Sequence, residues 1–311
     1  MVASLTIGRG DRCGGCVSMS ALFSGAFMNY RHAYHAGNFA DVVKHVLLIE
    51  LVTQLQNKDK GLALIDAYAG RGIYNLGSEQ ARKTAEADSG VTKLLSAPLT
   101  DAPEAVEKYA ALLAACRAQH GQKTYPGSPW FMLEASREQD QVQAFEKHPE
   151  EHSYLHYLFE GVNRVGVHQR DAWEGIGAMT PPPTKRGLVF IDPPFESEHR
   201  DFTALVERVT AAHKRWSTGV YALWYPIKNT EAHVLFEKKM RRTGIANLLL
   251  VELGAYPKDS PMGLSGTGLV VINPPWKFSD AADKIVQYLK PRLEAIPGQG
   301  YASVRWLKSD G

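Results

Sequence analysis

The chain has few cysteines and no long apolar run. Three cysteines among 311 residues are too few for a disulfide framework and indicate a reducing compartment such as the cytoplasm. The lone Cys13-Gly-Gly-Cys16 pair lacks the second pair that a structural zinc site needs, so no metal is expected there. No segment approaches the roughly 20 apolar residues of a membrane helix, so no membrane insertion is expected.

Neither positive nor negative charge is in large excess. The 35 basic and 33 acidic residues leave a net charge of +2, and 44% of the residues are hydrophobic. This composition is typical of a globular protein with a sizeable core. It permits a nucleic-acid partner, but any basic surface must then be local. Residues 1–27 are rich in glycine and serine, and we expect a disordered extension there.

Apolar runs alternate with amphipathic stretches along most of the chain. A helix is expected from Asn38 or Asp41 to about Asn57. Strands are predicted over residues 61–66, 141–146, 165–170, 187–192, 218–225, 247–253 and 268–273, with helices over 129–138, 149–161, 172–179, 201–215 and 229–243. This alternation predicts a doubly wound α/β fold that binds ligands at the carboxyl ends of parallel strands. No helix separates the last two strands, which are therefore expected to pair antiparallel.

The fourth predicted strand ends in Asp-Pro-Pro-Phe, residues 192–195. The exocyclic amine of adenine is a poor nucleophile because its lone pair is delocalised into the ring, so an enzyme must hold the amine with hydrogen-bond acceptors. The Asp192 carboxylate and the Pro193 carbonyl are candidates, since two prolines stiffen the loop. Phe195 offers a flat face on which a flipped-out base can stack. The alternative interpretation is that the prolines merely end a buried strand.

The same form recurs as Asn-Pro-Pro-Trp, residues 273–276, after the seventh predicted strand. Seven strands in this order resemble the Rossmann-like fold of S-adenosylmethionine-dependent methyltransferases. In that fold the methyl-donor loop follows strand one and the amine-holding tetrapeptide follows strand four. The resemblance therefore favours Asp192 as the amine-holding residue and predicts a structural role for Asn273.

Acidic residues end the first three predicted strands. Strand one leads into Asp-Ala-Tyr-Ala-Gly-Arg-Gly, residues 66–72, which resembles the glycine-rich donor loop of methyltransferases. Glu146 ends strand two, where an acid commonly binds the ribose hydroxyls of a nucleotide cofactor. Asp171 ends strand three and is placed to accept from an adenine amine of the donor, with Ala172 donating its backbone N–H. Together these positions predict a site for S-adenosyl-L-methionine.

A histidine-rich segment, residues 30–45, precedes the first helix. It reads Tyr-Arg-His-x-x-His-Ala-Gly-Asn-x-Ala-Asp-Val-x-Lys-His and matches no known zinc motif, so no metal site is predicted. Together with Tyr-Pro-Gly-Ser-Pro (residues 125–129), Tyr-Ala-Leu-Trp-Tyr-Pro (residues 221–226) and the two Pro-Pro motifs, it resembles the RlmJ family of 23S ribosomal RNA adenine-N6 methyltransferases. The likeness extends from residue 28 to about residue 307.

This resemblance implies roles that the residue patterns alone do not give. The substrate would be adenine 2030 of 23S ribosomal RNA, modified by a cytoplasmic, monomeric enzyme with Asp192 as its catalytic residue. Substrate contacts are expected from Tyr30, Lys44, Pro193 and Phe195. Cofactor contacts are expected from His45, Tyr68, Ser128, Glu146, Asp171, Ala172 and Asp192. The family has histidine where this chain has Tyr68, so a contact there would need a different geometry.

The expected organisation is a methyltransferase domain over residues 61–76 and 125–311, interrupted by a helical insertion over residues 77–124. Residues 28–60 are expected to form an N-terminal motif and a helix that packs on this domain. DNA adenine methylation, protein glutamine methylation and a non-catalytic RNA-binding role on the same scaffold remain alternatives. A DNA enzyme would carry a larger recognition domain than the insertion, and glutamine methyltransferases typically have asparagine in the position of Asp192.

Overall fold

The central feature of the computed structural model is an eight-stranded sheet within the residues that the structure describes: 35–78, 81, 86–195, 198–228, 230–258, 260–261 and 263–307. The strands are β1 (Ala63–Asp66), β2 (Ile73–Asn75), β3 (Thr124–Pro126), β4 (Gln141–Phe145), β5 (Val165–His168), β6 (Gly187–Ile191), β7 (Val220–Ile227), β8 (Leu248–Gly254), β9 (Gly266–Ile272) and β10 (Tyr301–Leu307). The helices are α1 (Phe39–Leu55), α2 (Val91–Leu95), α3 (Glu104–His120), α4 (Ser128–Ala135), α5 (Pro149–Leu158), α6 (Ala172–Met179), α7 (Glu198–Arg215), α8 (Thr230–Arg241) and α9 (Phe278–Leu293). None of these helices is long and apolar enough to cross a membrane.

The strands of this sheet follow the order β10-β8-β9-β7-β6-β1-β4-β5. Neighbouring strands from β7 to β5 in this order are parallel, whereas β9 runs antiparallel between β7 and β8, with Leu248 opposite Ile272. All seven predicted strands are present, and the expected antiparallel pairing of the last two is confirmed. The sequence patterns did not predict β2, β3, β10 or α9. The residues of β10 are mostly half-buried, because it is an edge strand, so it lacks the continuous apolar run of a central strand.

Helix α1 is buried on nearly all sides. The Asn38 side chain accepts a hydrogen bond from the backbone N–H of Asp41 at 2.9 Å, so Asn38 is the N-cap. Lys44 and His45 belong to the buried face together with the apolar residues, and the helix packs against α3, α4 and α9. An embedded helix of this kind holds its few polar side chains in fixed positions beside the sheet.

The described part of residues 77–124 is mainly helical, as expected, with a short 3₁₀ helix (Glu86–Ser89) before α2 and α3. Strands β2 and β3 flank it and pair antiparallel, with Tyr74 opposite Tyr125. Helix α3 contributes buried Val106, Tyr109 and Leu113 to the same core as α1. The division of the chain into a methyltransferase domain and an insertion stays a prediction, and residues 1–27 lie outside the described part.

Candidate active site

Four acidic residues line one edge of the sheet. Strands β6, β1, β4 and β5 are adjacent and parallel, so their carboxyl ends meet at the same edge. Asp192 follows β6, Asp66 ends β1, Glu146 follows β4 and Asp171 follows β5. The topology thus brings together Asp192, Glu146 and Asp171, which were expected to follow successive strands, and adds Asp66. We call this the carboxyl edge.

Lys44 joins helix α1 to the end of β6. Its Nζ lies 2.6 Å from Asp192 Oδ2 and 2.7 Å from Asp41 Oδ1, and 5.2 Å from the ring centroid of Trp224. Burial alone would lower the pKa of Lys44, but the carboxylates of Asp192 and Asp41 outweigh it, and the pKa is raised well above its usual value. Lys44 is therefore a buried cation held between two carboxylates.

Asp66 is buried at the centre of this edge. It accepts a long hydrogen bond of 3.3 Å from the Tyr68 N–H at Oδ1, while Oδ2 has no hydrogen-bond partner in geometric range among the described residues. Burial raises the pKa of Asp66 to about 7, opposed by the Ser128 hydroxyl and the Tyr68 N–H. A buried acceptor without a partner is costly, so this oxygen is suited to a ligand that brings a donor.

The glycine-rich loop after β1 approaches Glu146 closely. Gly70 has φ +61°, and a Cβ there would lie 2.2 Å from the Tyr74 hydroxyl, so the turn requires glycine. The Gly70 N–H donates to Glu146 Oε2 at 3.0 Å, and the His148 N–H donates to Oε1 at 2.7 Å. Burial raises the pKa of Glu146, and these two N–H groups oppose it. Since a carboxylate offers about four lone-pair positions, Glu146 can still accept from two hydroxyls of a ligand.

Asp171 caps helix α6. Its Oδ1 accepts from the Trp173 N–H at 3.0 Å, and its Oδ2 lies 3.3 Å from Lys147 Nζ. Burial alone would raise the pKa of Asp171, but the hydrogen bonds from Trp173 and Lys147 outweigh it and the pKa is lowered. Ala172 is the first residue of the helix, where a backbone N–H has no acceptor within the helix. Tyr68 lies partly buried near Asp171, and burial raises the pKa of Tyr68 to about 12.

His45 and Ser128 are both buried near the start of α4. The His45 Nδ1 lies 2.9 Å from the Tyr125 hydroxyl, and its ring packs against Phe131 at a centroid distance of 4.9 Å. The Ser128 hydroxyl is close enough to Asp66 to lower its pKa. The cofactor contacts expected from His45 and Ser128 stay predictions.

The predicted substrate residues are placed less uniformly. Pro193 is half-buried beside Asp192. Phe195 is only 7% exposed and packs against Phe202 and Trp224, with ring centroids 5.3 and 5.8 Å away. Base stacking on Phe195 stays a prediction, and it would require the ring to leave these contacts. Tyr30 lies outside the described residues.

The second Pro-Pro motif lies at the opposite edge of the sheet, because β9 runs against its neighbours. Asn273 has φ +53°, and its Nδ2 donates to the carbonyls of Ser217 and Gly219 at 2.8 and 2.9 Å. Both carbonyls precede β7, at the amino ends of the parallel strands. The amide is thus occupied by the protein itself, in agreement with the predicted structural role.

One histidine and two glutamates outside the carboxyl edge have the geometry of metal ligands. The donor atoms of His233, Glu237 and Glu252 lie within 4.8 Å of one another. Arg305 already contacts both carboxylates, and Tyr225 donates to Glu252 at 2.6 Å. Both carboxylates therefore already have a cationic partner in the protein, and we assign the cluster to the packing of α8 on the sheet. His35 of the N-terminal segment pairs with Glu86 at 2.8 Å.

Sequence reasoning did not assign roles to Asp41, Asp66 or Trp224. Asp41 was treated only as a possible helix cap and Asp66 only as the first residue of the donor loop. The available signal for Asp66 was an acid that ends a fully apolar strand. Asp41 pairs with Lys44 at the i,i+3 spacing of one helix face, which was visible in the sequence, whereas the contact of Lys44 with Trp224 depends on the fold.

This strand order, with β9 inserted antiparallel between β7 and β8, β10 antiparallel at the edge, and acids after four adjacent parallel strands, defines a Rossmann-like methyltransferase fold. The chain belongs to the RlmJ family, because the family model described as "Ribosomal RNA large subunit methyltransferase D, RlmJ" matches residues 59–308.

Relatives of known name and structure agree with this assignment. "Ribosomal RNA large subunit methyltransferase J" of Escherichia coli is 35% identical, covering 90% of this chain and 99% of that protein. The protein of the same name from Haemophilus influenzae is 34% identical with the same coverage. A crystal structure of a Legionella pneumophila protein matches with a TM-score of 0.78 and 32% identity, covering 87% of this chain and 98% of that one.

Proposed function

We propose that this protein transfers a methyl group from S-adenosyl-L-methionine to N6 of an adenine in 23S ribosomal RNA. The observation that carries the proposal is the Lys44–Asp192 pair at the carboxyl end of β6, beside three further acids on adjacent strand ends. The names of the Escherichia coli and Haemophilus influenzae relatives support large-subunit ribosomal RNA as the substrate class.

Four features of the carboxyl edge fit the methyl donor. Glu146 is placed for the ribose hydroxyls, and Asp171 with the N–H of Ala172 for the adenine. Asp66 Oδ2, which has no hydrogen-bond partner among the described residues, is an acceptor of the kind that an ammonium group satisfies. The tight turn at Gly70 lets the backbone approach a ligand closely. When bound, the donor supplies an electrophilic methyl group.

Asp192 and Pro193 hold the amine that receives the methyl group. Lys44 binds Asp192 Oδ2, whereas Oδ1 makes no hydrogen bond among the described residues and is left to accept from the amine. The carbonyl of Pro193 is a second acceptor, and Pro194 after it keeps the loop stiff. Together the two acceptors orient both N–H bonds of the amine and favour the pyramidal geometry in which the nitrogen lone pair is no longer delocalised into the ring and points at the methyl group.

Lys44 positions Asp192 for this task. It is 3% exposed and bonded to Asp41 as well as to Asp192, so the carboxylate cannot turn without breaking a buried ion pair. An oriented acceptor contributes more in a site without water than it would in solution. The buried position of Lys44 assigns it to orienting Asp192, so a direct contact of Lys44 with RNA is not needed for the reaction.

The RNA is expected to approach this edge with the target base turned out of its stack. Extruding a base costs a few kcal/mol, and a stacking contact of about 1 to 3 kcal/mol offsets it. Tyr30 is proposed to supply such a contact, as the family resemblance implies. A ribosomal RNA substrate also supports the expected cytoplasmic location, and we retain a monomer as the working assembly.

Mass spectrometry of ribosomal RNA tests this proposal. RNA from cells that lack the gene should have lost one N6-methyladenine from 23S RNA, and a plasmid copy should restore it. A copy with Asp192→Ala should not restore it, although the protein accumulates normally. The proposal fails if the methylation pattern of 23S RNA is the same with and without the gene, and loss of N6-methyladenine from DNA alone would favour the DNA alternative.

A further inference from the structure

Trp276 is the most exposed large apolar residue in the described part of the chain. Its side chain is 94% exposed, although it lies directly between the buried strand β9 and buried Phe278. It belongs to the Asn-Pro-Pro-Trp motif, at the edge of the sheet opposite Asp192. We call this the amino edge, because the parallel strands begin there. The proposed reaction uses no residue of this edge.

The turn that carries Trp276 is held rigidly. Asn273 donates to two carbonyls through its side chain and to the carbonyl of Asn247 through its N–H at 3.0 Å. Two prolines follow, and the Phe278 N–H donates to the Pro275 carbonyl at 2.9 Å. A backbone fixed in this way leaves only the side-chain rotations of Trp276 to be ordered when the indole binds a flat partner.

The connections around Trp276 are strongly basic. They precede β1, β6, β7 and β8 and follow β9, and these five strands are consecutive in the sheet. Residues 56–62, 180–186, 216–219, 242–247 and 273–277, taken with the last two residues of α7, contain one acid, Asp59, and eight basic residues: Lys58, Lys60, Lys185, Arg186, Lys214, Arg215, Arg242 and Lys277. The whole chain, by contrast, has 35 basic and 33 acidic residues.

Most of these basic side chains have no side-chain partner among the residues that the structure describes. Arg186 and Arg215 donate to backbone carbonyls. The other six are exposed and make no ion pair or side-chain hydrogen bond within the described residues. Five adjacent strands at about 4.8 Å spacing make this row roughly 19 Å long. A row of unpaired positive charge beside an exposed aromatic ring is the composition of surfaces that bind single-stranded nucleic acid.

We propose that the amino edge is a second RNA-binding surface, on which an unpaired base stacks against Trp276 while the flanking lysines contact phosphates. This inference rests on the proposed ribosomal RNA substrate. Strand β6 has five residues, so the two edges are at least about 17 Å apart. Because the edges face opposite ways, an RNA must pass around the protein to contact both, which a long ribosomal RNA can do more readily than a short hairpin held at Asp192. The surface would therefore select a large RNA over an isolated hairpin.

Equilibrium binding to two RNAs tests this surface with the full-length protein. The probes are a transcript of the whole 23S RNA and a short hairpin that contains the methylated adenine. Trp276→Ala should weaken binding of the long transcript by roughly 5- to 100-fold, as expected for loss of one stacked base. Hairpin binding and the rate of hairpin methylation should stay unchanged.

Charge reversal provides a second, independent measurement. Lys214→Glu with Lys277→Glu should reduce the slope of log affinity against log salt for the long transcript by about 1 to 2. The matched controls are Tyr157→Ala, a ring that is 79% exposed outside this row, and Lys123→Glu with Lys290→Glu, which changes the net charge equally. Thermal unfolding should confirm that every variant is folded.

Three results would overturn the proposal. Unchanged binding of the long transcript by both variants would remove the surface. An equal loss in the charge control would assign the effect to net charge. A loss seen only with assembling ribosomal particles, and not with naked RNA, would identify a protein partner instead. Failure of the wild-type protein to methylate either RNA would count against the proposed function, while the binding measurements would still decide this inference.

Discussion

The two Pro-Pro motifs have nearly the same sequence and opposite surroundings. Asp-Pro-Pro-Phe follows β6 and Asn-Pro-Pro-Trp follows β9, each after a fully buried strand. Because β9 is antiparallel, the first motif reaches the carboxyl edge and the second reaches the amino edge. Asp192 meets a buried lysine and a row of acids, whereas the amide of Asn273 is bound by two carbonyls of the protein.

This comparison shows that the direction of the strand decides what such a motif can do. At the carboxyl edge one oxygen of the first side chain is left for a ligand, and the aromatic ring is buried. At the amino edge the first side chain is fully used by the protein, and the aromatic ring is exposed. The exposed fraction of the aromatic ring differs accordingly: it is 7% for Phe195 at the carboxyl edge and 94% for Trp276 at the amino edge.

The largest expected effect is on Asp192. Replacing it with alanine removes the positioned acceptor for the amine, and we expect the methylation rate to fall about 10²- to 10⁴-fold. Affinity for S-adenosylmethionine should fall much less. Single-turnover methylation of the RNA hairpin measures the rate, and calorimetry measures the affinity. Near-normal turnover by this variant in a folded state would contradict the assignment of the carboxyl edge.

Replacing Lys44 tests whether a buried cation at the carboxyl edge stabilises the protein. Lys44→Met removes the partner of two carboxylates, so the free energy of unfolding should fall by about 3 to 5 kcal/mol. Urea denaturation checks this value. Adding Asp41→Asn to Lys44→Met should recover part of the loss, because one carboxylate no longer needs a counter-ion. A loss below about 1 kcal/mol, without such recovery, would show that the ion pair is not structural.

Two glutamates at opposite ends of β4 allow the two edges to be compared on one strand. Glu146 follows β4 at the carboxyl edge, and Glu138 precedes the same strand at the amino edge. Glu146→Ala should weaken S-adenosylmethionine binding by roughly 5- to 150-fold, since a charged acceptor contributes about 1 to 3 kcal/mol. Glu138→Ala, at an exposed position, should leave the affinity unchanged. Equal calorimetric affinities for both variants and the wild type would discard the proposed donor site.

The smallest effect is expected at Asn273. Asn273→Ala removes two hydrogen bonds and places a Cβ-bearing residue without polar groups at φ +53°, so we expect a loss of about 1 to 3 kcal/mol of stability. Asn273→Gly keeps the left-handed conformation and should lose less. Methylation of the hairpin per folded molecule should stay unchanged for both. A collapse of hairpin methylation in folded Asn273→Ala would reverse the roles of the two motifs.

Patterns along the chain were sufficient to find most of the carboxyl edge. Asp192, Glu146 and Asp171 were predicted because each follows an apolar run, and parallel strands bring such residues together. Lys44 was placed near the site only through the family resemblance. The two partners of Lys44 differ in their distance along the chain. Asp41 is three residues away on the same helix, whereas Asp192 is 148 residues away and meets Lys44 only in the folded protein. For Phe195 the sequence pattern was misleading. An aromatic residue after a stiff loop suggested an exposed ring face, but Phe202 of α7 and Trp224 of β7 cover this ring.

The sequence by itself determined the alternation of strands and helices, the antiparallel pairing of β8 and β9, and the order in which the acids follow their strands. Periodicity and apolar runs are local properties, and they set these features directly. The tertiary structure decided which polar side chains bind other groups of the protein and which keep an atom available for a ligand. That outcome depends on contacts between distant segments, such as Lys44 with Asp192 and Asn273 with the connection before β7. It also decided that the unpaired basic residues of four separate connections and of the end of α7 form one row, because adjacency in a sheet follows strand order and not chain order.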